Sequence, residues 1–319
     1  MTLHDIRLGL CCINTSLREK DIFCSRTCRL DTFMNKGYEH VKSLIVQNLA
    51  DLLTMLKWNQ ENGISLMRIS SDIFPHISNH RAPGYDMSEF QPILTEIGTY
   101  ARNHGHRLTF HPGQYNVVGT PNEEVFKNTA RDLDWHAEML DRMDCDQNSV
   151  LVVHGGGTYG DKELTKERWI EQFARLPERV QRRLVLENCE KNFSVEDCLY
   201  VSEKTGVPVV FDTHHYECYK HFHPTETVKS ARHYMPLVLA TWQRRNIRPK
   251  FHISEQRIGA PVGAHSDFIA KIPDYLLELD HIDIMVEAKM KEQAVMRLMT
   301  QMKPKIKITL RPHPRIAQK

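Results

Sequence analysis

The chain has 319 residues, of which 41% are hydrophobic and 26% are charged, and its formal net charge at pH 7 is +2. This composition is typical of a globular protein and excludes collagen, a wholly disordered chain and a small disulfide-rich scaffold. No apolar run approaches the roughly 18–20 residues that a membrane-spanning helix requires, and so small a net charge does not by itself indicate a nucleic-acid-binding protein.

Eight short runs stand out along the chain, and most of them have the apolar composition of strands that are buried on both faces. Segments with helical spacing of apolar residues separate them. A strand–helix unit repeated eight times in about 300 residues predicts a single (β/α)8 TIM barrel, an α/β fold, over residues 1–319. An open doubly wound sheet is the alternative, although no GxGxxG motif follows the first run. The predicted strands are residues 7–11, 66–70, 107–111, 150–154, 183–187, 208–212, 250–253 and 283–287.

The helical segments are predicted from the spacing of their apolar residues and from the capping residues at their ends. Between residues 41 and 56, leucine, isoleucine and valine recur at steps of three and four residues, which predicts a long amphipathic helix. A second stripe of this kind runs from Phe90 to Ala101. Ser194 and Asp197 have the spacing of a capping box that opens a helix, and Gly206 marks its end.

From the third predicted strand onward, every strand ends at or beside a histidine, an aspartate or a glutamate. In a barrel the carboxyl ends of all strands meet at one face, so these side chains are expected to be neighbours. The three residue types make up less than a fifth of the chain, so six such ends in succession are not expected by chance. The six residues are His111, His154, Glu187, Asp212, His252 and Glu287.

A metal centre is the interpretation that we favour, because three carboxylates buried in one mouth would otherwise repel one another. His215 follows the sixth strand and His265 follows a glycine-rich stretch, so both can also reach this face. Mixed imidazole and carboxylate ligands suit Mn, Zn or Fe and argue against all-oxygen Mg or Ca sites. The alternative is a hydrogen-bonded carboxylate network that includes Arg68 and Lys250.

Several motifs, taken as an ordered set, resemble the UV damage endonucleases, which are relatives of endonuclease IV. They cover the chain from residue 7 to about residue 290. They are Arg7-Leu-Gly9, Met67-Arg-Ile-Ser-Ser71, His111-Pro-Gly-Gln-Tyr115, Val153-His-Gly-Gly-Gly157, Leu186-Glu-Asn188, Phe211-Asp-Thr-His-His215, Lys250-Phe-His-Ile-Ser254 and Ile284-Met-Val-Glu-Ala-Lys289.

The resemblance implies a barrel that holds three divalent ions, with Mn²⁺ expected ahead of Zn²⁺ or Mg²⁺. By position, the implied ligand sets are His111, His154 and Glu187 for one ion, Glu187, Asp212, His252 and Glu287 for a second, and His215 with His265 for the third. The residual positive charge of such a cluster would attract a phosphate group.

The resemblance also implies the reaction, which is metal-assisted hydrolysis of a phosphodiester immediately 5′ of a UV photoproduct, leaving a 3′-hydroxyl and a 5′-phosphate. Abasic sites are a further candidate lesion. The catalytic residues that we predict are Glu187, Lys250 and His252. Lys250 lies two residues before His252, so both face the same side of a strand. Because bound cations would repel an ammonium there, we expect Lys250 to be carboxylated or neutral and to join the metal shell.

Lesion recognition is expected to use residues at the barrel mouth, because a damaged base pair is cheaper to unstack than a normal one. By resemblance, Gln114 and Tyr115 are the residues that probe the gap. Asn14, Arg68 and Arg257 are further candidates for contact with the DNA or the lesion. A tyrosine often follows Arg-Leu-Gly in the family, and here the position is Leu10, which cannot hydrogen-bond.

Two other functions remain open from the sequence. One is a metal-dependent sugar isomerase or epimerase on the same barrel, and the other is a catalytically idle protein that binds DNA damage. The expected partner is damaged double-stranded DNA, with no membrane, no nucleotide cofactor and a monomeric protein. The eight cysteines form no CxxC pair, which favours reduced thiols inside a cell. We expect a cytoplasmic, nucleoid-associated protein in a prokaryote, or a nuclear one in a eukaryote.

Overall fold

The structure, a computed structural model, describes residues 5–302 and contains eight parallel strands. Each predicted run overlaps one of them, and the observed bounds agree with the predicted ones to within two residues. The strands are β1 (Ile6–Cys11), β2 (Leu66–Ile69), β3 (Arg107–Phe110), β4 (Leu151–His154), β5 (Leu184–Glu187), β6 (Val209–Val210), β7 (Lys250–Ile253) and β8 (Ile282–Val286).

The sheet curves into a barrel. Neighbouring strands pair in the order β6-β5-β4-β3-β2-β1-β8-β7. The remaining gap, between β6 and β7, is closed by a parallel bridge between Asp212 and His252, and the backbone N–H of His252 donates to the Phe211 carbonyl at 3.1 Å. The prediction of a TIM barrel is therefore confirmed, and the closing bridge lies among the candidate metal ligands.

Helices surround the barrel. The predicted amphipathic stripe at residues 41–56 lies in α3, and the second stripe lies in α4 and the 3₁₀ turn before it. The helices are α1 (Thr15–Arg18), α2 (Leu30–Lys36), α3 (Tyr38–Glu61), α4 (Gln91–Asn103), α5 (Glu123–Arg142), α6 (Lys162–Phe173), α7 (Glu178–Arg183), α8 (Val195–Thr205), α9 (Thr213–Phe222), α10 (Ala231–Gln243), α11 (Asp274–Leu277) and α12 (Lys291–Met302).

The capping signals predicted for α8 are present. Ser194 and Asp197 form the reciprocal capping box, and Gly206 ends the helix at a φ of +74°. All eight cysteines are free thiols. Among residues 5–302, no helix is long and apolar enough to cross a bilayer.

Most apolar core residues lie between the sheet and its helices, whereas the barrel interior is small and largely polar. A small apolar cluster of Cys11, Leu66 and Met285 is separate from the main core. Gly9 is required beside this cluster, because a Cβ there would lie 2.5 Å from Leu66 Cδ2. Below and above this thin layer the interior holds charged side chains.

An ion-pair group fills the amino-terminal end of the barrel, far from the candidate metal ligands. The fully buried carboxylate of Asp283 lies 2.6 Å from Arg7 Nε, 2.9 Å from Arg107 Nη1 and 2.7 Å from Arg248 Nε. Burial by itself would raise the pKa of Asp283, but Arg107 and Arg7 outweigh it and hold this pKa below its ordinary value.

We expect Asp283→Ala to lower the free energy of unfolding by about 3–5 kcal/mol, because it leaves buried guanidinium groups without their carboxylate. Urea denaturation measures the change. Asp144→Ala is the control, since that carboxylate is 86% exposed in its pair with Arg102. Exposed pairs contribute only about 0–1 kcal/mol, and a loss that small for Asp283→Ala would contradict the prediction.

Candidate metal centre

The side chains predicted at the strand ends meet at the carboxyl-terminal face of the barrel. His111 directly follows β3, His154 ends β4 and Glu187 ends β5. On the other side of the closing bridge, His252 lies within β7 and Glu287 directly follows β8. Parallel strands bring their carboxyl ends to one edge, which explains why residues so far apart in sequence become neighbours.

Glu187 is the centre of this group and is fully buried. Its Oε2 accepts a hydrogen bond from His111 Nε2 at 2.8 Å and lies 3.3 Å from His154 Nε2. Its Oε1 accepts from His252 Nδ1 at 2.9 Å and lies 3.5 Å from His215 Nδ1. Burial works to raise the pKa of Glu187, but the imidazoles of His252, His154 and His111 lower it well below its ordinary value. One carboxylate thus faces four imidazoles.

Asp212 adds a second carboxylate and serves the backbone as well as the site. Its Oδ1 caps α9 by accepting from the backbone N–H groups of His214 and His215 at 2.7 and 2.8 Å. Within residues 5–302 its buried Oδ2 has no hydrogen-bond partner, although His215 Nδ1 lies 3.9 Å away. Burial raises the pKa of Asp212 to about 7. Although burial opposes it, Asp212 and Glu187 raise the pKa of His215 to about 9.

The donors are arranged as a metal centre requires. Seven of the eight predicted ligands fall into three groups in which one atom per residue lies within 4.8 Å of the others. The groups are His111, Glu187 and His252; His154, Glu187 and His215; and Asp212, His252 and Glu287. Among residues 5–302, Asp212 Oδ2 and His154 Nε2 are buried atoms without a hydrogen bond, and each can offer a lone pair to a cation when it carries no proton. These residues therefore fit divalent ions bound by nitrogen and oxygen.

The grouping differs from the one that the resemblance implies. His111 groups with His252 instead of with His154, and His215 groups with His154 and Glu187 instead of with His265. Among the described residues, His265 belongs to none of the three groups. Its ring centroid lies 5.6 Å from that of His214, at the edge of the cluster. The ligand roles remain predictions.

Arg68 has a different set of contacts from the one that we predicted. Its Nη1 pairs with Glu287 Oε1 at 2.6 Å. The same guanidinium contacts both neighbouring thiols, through Nη2 to Cys11 Sγ and through Nε to Cys12 Sγ at 3.4 Å. The predicted contact with DNA is untested, but in this structure Arg68 neutralises a carboxylate, as the network alternative expected.

Lys250 lies on the same face of β7 as His252, as the strand spacing predicts. Its side chain is fully buried, and its Nζ lies 2.5 Å from His252 Nε2. Burial, with the nearby Arg68 and Arg107, lowers the pKa of Lys250 to about 7. A buried lysine with so low a pKa is readily held in its neutral form.

The sequence reasoning missed the role of Asn188. This residue is 1% exposed and follows Glu187 directly. Its Oδ1 accepts from the backbone N–H of Asp212 at 2.9 Å, its Nδ2 donates to the Asp212 carbonyl at 3.1 Å, and its carbonyl accepts from His215 Nδ1. Asn188 therefore joins the ends of β5 and β6 and orients two candidate ligands. Its position next to a strand-end glutamate was the available signal.

The loop after β3 presents Gln114 and Tyr115 at the mouth, where they were predicted. Gln114 is exposed, and Tyr115 is 66% exposed with its ring over Gly113, where a Cβ would lie 2.4 Å from Tyr115 Cε1. Asn116 is buried, and its Nδ2 donates to Asp132 Oδ2 at 2.8 Å. The backbone beside the exposed ring is thus held in place.

The prediction for Asn14, which follows β1, changes. Asn14 is 1% exposed, and its Oδ1 caps α1 by accepting from the Leu17 backbone N–H. The free protein therefore does not present Asn14 to DNA, and its observed role is a helix cap. Leu10 is fully buried in the core that faces the helices, so this position does not reach the mouth. Arg257, by contrast, is exposed in the loop after β7.

The known proteins that this chain resembles in sequence are UV-damage endonucleases. A sequence profile of the family described as UV-endonuclease UvdE matches residues 6–313. A protein of Acanthamoeba polyphaga mimivirus is 41% identical over 307 residues, which cover 93% of this chain and 92% of that protein. The UV-damage endonuclease of Schizosaccharomyces pombe is 39% identical over 92% of this chain, which spans 50% of that relative's length.

Solved structures give the same result for the fold. The crystal structure of SacUVDE superposes with a TM-score of 0.83 at 32% identity, covering 93% of this chain and 97% of that one. The 3-keto-D-glucoside 4-epimerase YcjR from E. coli has a TM-score of 0.51 at 11% identity, covering 79% and 93%. The second likeness concerns the barrel fold alone.

Proposed function

The chain belongs to the UV-endonuclease UvdE family, and from this premise we propose that it is a metal-dependent DNA repair endonuclease that nicks the damaged strand immediately 5′ of UV photoproducts. The nick would leave a 3′-hydroxyl and a 5′-phosphate. The observation that carries the proposal is the cluster at the barrel mouth, where Glu187 faces four imidazoles and two further carboxylates lie beside it. The sugar epimerases share only the barrel fold, so they do not compete with this proposal.

We propose that the eight predicted ligands hold three divalent ions, with Mn²⁺ ahead of Zn²⁺ or Mg²⁺. When bound, such ions would activate water for hydrolysis and neutralise charge on the phosphate. Three groups of donors, with Glu187 shared by two of them and His252 shared by two, support a multinuclear site. His265 lies beside these groups and would complete the third site.

The protein side chains orient this cluster. Asp212 is held by α9 and by Asn188, so its Oδ2 remains directed away from the backbone that Oδ1 caps. Lys250 lies against His252, and we propose that it acts as a carbamate or as the neutral amine. A carbamate adds about 44 Da to the intact mass of gently prepared protein, and an unmodified mass with Lys250 in its charged form would reject the proposal.

Lesion recognition is the second half of the proposal. Tyr115 and Gln114 would fill the gap left when a damaged pair unstacks, because an exposed ring on a fixed loop can stack on bases without reading sequence. Arg257 would contact a phosphate. Because DNA is the substrate, we propose that the protein acts where the cell keeps its DNA.

Tyr115→Ala is expected to weaken binding to a lesion-containing duplex by roughly ten-fold or more, because stacking on a base contributes about 1–3 kcal/mol. Gly113→Ala should act in the same direction, since its Cβ displaces the Tyr115 ring. Fluorescence anisotropy under chelation measures binding without nicking. The control is Tyr200→Ala on α8, and equal affinity of the three variants for the lesion would contradict the assigned role.

Nicking of UV-irradiated supercoiled plasmid tests the function as a whole. We expect relaxation of irradiated plasmid with Mn²⁺, none with chelator, and little with unirradiated plasmid. Binding of the lesion without nicking at saturating Mn²⁺ would instead identify an idle damage-binding protein. Failure both to bind and to nick would reject the endonuclease proposal.

A further inference from the structure

The loop after β7 presents the most exposed large hydrophobic side chain of residues 5–302. Ile258 is 99% exposed, well above Tyr115 at 66% and Val262 at 37%. Isolated exposed apolar residues are common on proteins, so its exposure alone means little. Its surroundings distinguish it, because the loop that carries it is held by hydrogen bonds, lies on the rim of the candidate metal centre and follows the strand opposite the one that precedes the predicted lesion probe.

The rigidity comes from the rim hairpin, which we define as residues 255–266. Gln256 and His265 form an antiparallel bridge, and the Arg257 N–H donates to the Ala264 carbonyl at 2.8 Å. Inside the hairpin the Gln256 carboxamide bonds to four backbone groups, which are the carbonyls of Arg257, Ala260 and Pro261 and the N–H of Gly263. The tip is therefore held by hydrogen bonds to the Gln256 carboxamide.

Ile258 occupies an outer corner of the tip turn. The Ala260 N–H donates to the Arg257 carbonyl at 3.2 Å, and Gly259 has a φ of +73°. These features define a β-turn with Ile258 at its second position, where a side chain points away from the turn. The sequence thus maintains a bulky aliphatic group at full exposure on an ordered turn.

The base of the hairpin is joined to the rim. The Ser266 N–H donates to the Glu255 carbonyl at 2.8 Å, and the Lys289 N–H, two residues after Glu287, donates to the Ser266 carbonyl at 3.1 Å. His265, on the returning arm, borders the cluster. The hairpin is therefore anchored at the rim of the cluster, beside the loop that follows Glu287.

The hairpin and the Tyr115 loop lie on opposite sides of the mouth. In the closed order of strands, β3 and β7 are four strands apart in either direction around the barrel. Tyr115 follows β3, and Ile258 follows β7. The two exposed hydrophobic side chains therefore flank the cluster from opposite sides.

We propose that Ile258 is a second wedge, which inserts into the DNA duplex across the metal centre from Tyr115. This inference rests on the proposed function, because it takes a damaged duplex as the occupant of the mouth. A duplex is favoured over a protein partner since the same face must receive the scissile phosphate and Arg257, directly beside Ile258, supplies a positive charge for the backbone.

An aliphatic side chain suits this task because it offers no hydrogen bonds and therefore does not discriminate between bases. Apolar wedges enter between base steps, unstack them and kink the duplex. Two wedges on opposite sides of the cluster would bend the damaged strand toward the ligands between them. Normal DNA resists this bend more strongly than a damaged step, so the second wedge would add to discrimination for the lesion.

The test compares Ile258→Ala with wild type on two substrates. One is a fully paired duplex with a single photoproduct, and the other carries the same photoproduct within an unpaired bubble, where unstacking is already complete. We expect Ile258→Ala to lower kcat/KM on the paired duplex by about ten-fold or more and to leave the bubble nearly unchanged. Ile258→Leu should retain wild-type rates on both.

Leu237→Ala is the matched control, because Leu237 is 45% exposed on α10, away from the mouth. A 2-aminopurine beside the photoproduct reports unstacking directly, and its fluorescence gain should fall with Ile258→Ala alone. If Ile258→Ala nicks the paired duplex at the wild-type rate, or if its kcat/KM falls equally on both substrates, the proposed role of Ile258 as a wedge is wrong. Failure of the wild-type protein to nick either substrate would instead reject the proposed function.

Discussion

Replacing Glu187 with glutamine is expected to abolish nicking of irradiated plasmid, with a loss of at least about a thousand-fold, which exceeds the 10–100-fold typical of residues that only support metal ligands. Glutamine has the same shape but no charge, and its amide places an N–H₂ group where an anionic oxygen now faces His111 and His154, or His252 and His215. Two of the three ligand groups share this carboxylate, so one substitution weakens both.

The measurement combines nicking rate with metal content and thermal unfolding. Elemental analysis after dialysis against Mn²⁺ should show fewer bound ions in Glu187→Gln than in wild type, with a cooperative melting transition retained. Glu163→Gln is the control, because that side chain is 76% exposed on α6. If Glu187→Gln nicked the plasmid at the wild-type rate, the Glu187 carboxylate would not be required for the reaction.

Chelation is expected to remove all nicking activity, and added Mn²⁺ should restore it. The ions would also stabilise the fold, because they bind the folded cluster and not the separated side chains of the unfolded chain. At a free ion concentration one hundred times the Kd, each site adds about 2.7 kcal/mol. Melting temperature with chelator, with Mn²⁺ and with Mg²⁺ measures the effect, and activity that survives exhaustive chelation would contradict the prediction.

The same centre predicts how ion binding depends on pH. The pKa of His215 is raised to about 9 and that of Asp212 to about 7 in the protein without ions. Ligands must lose their protons to bind a cation, so binding releases protons and affinity rises with pH through this interval. Titration with Mn²⁺ at pH 6, 7 and 8 should give a Kd that falls at each step.

The strands and the residue types at their ends were predictable from the sequence, because both depend on which residues follow one another over a short stretch of chain. A strand buried on both faces requires a continuous apolar run, and residues 150–153 and 184–186 show this without reference to any partner. The fold rule that parallel strands end at one face then makes neighbours of Glu187 and His252, although 65 residues separate them.

The tertiary structure alone decided which atoms meet. Arg68 was predicted both as a contact to DNA and as a member of a carboxylate network, and it pairs with Glu287 because β1, β2 and β8 are adjacent around the barrel. Asn14 was predicted to contact DNA, but it is buried and caps a helix. Ile258 is the opposite case, because isoleucine is usually buried in the core, whereas this side chain is fully exposed.

The sequence by itself therefore determined the fold class, the strand ends and the chemistry collected there, since these follow from periodicity and residue type along the chain. Only the folded barrel decided how the donors are grouped, which charges are neutralised and which side chains are exposed at the mouth. These depend on distances of a few ångströms between strands and loops that are remote in sequence, and no local pattern encodes them.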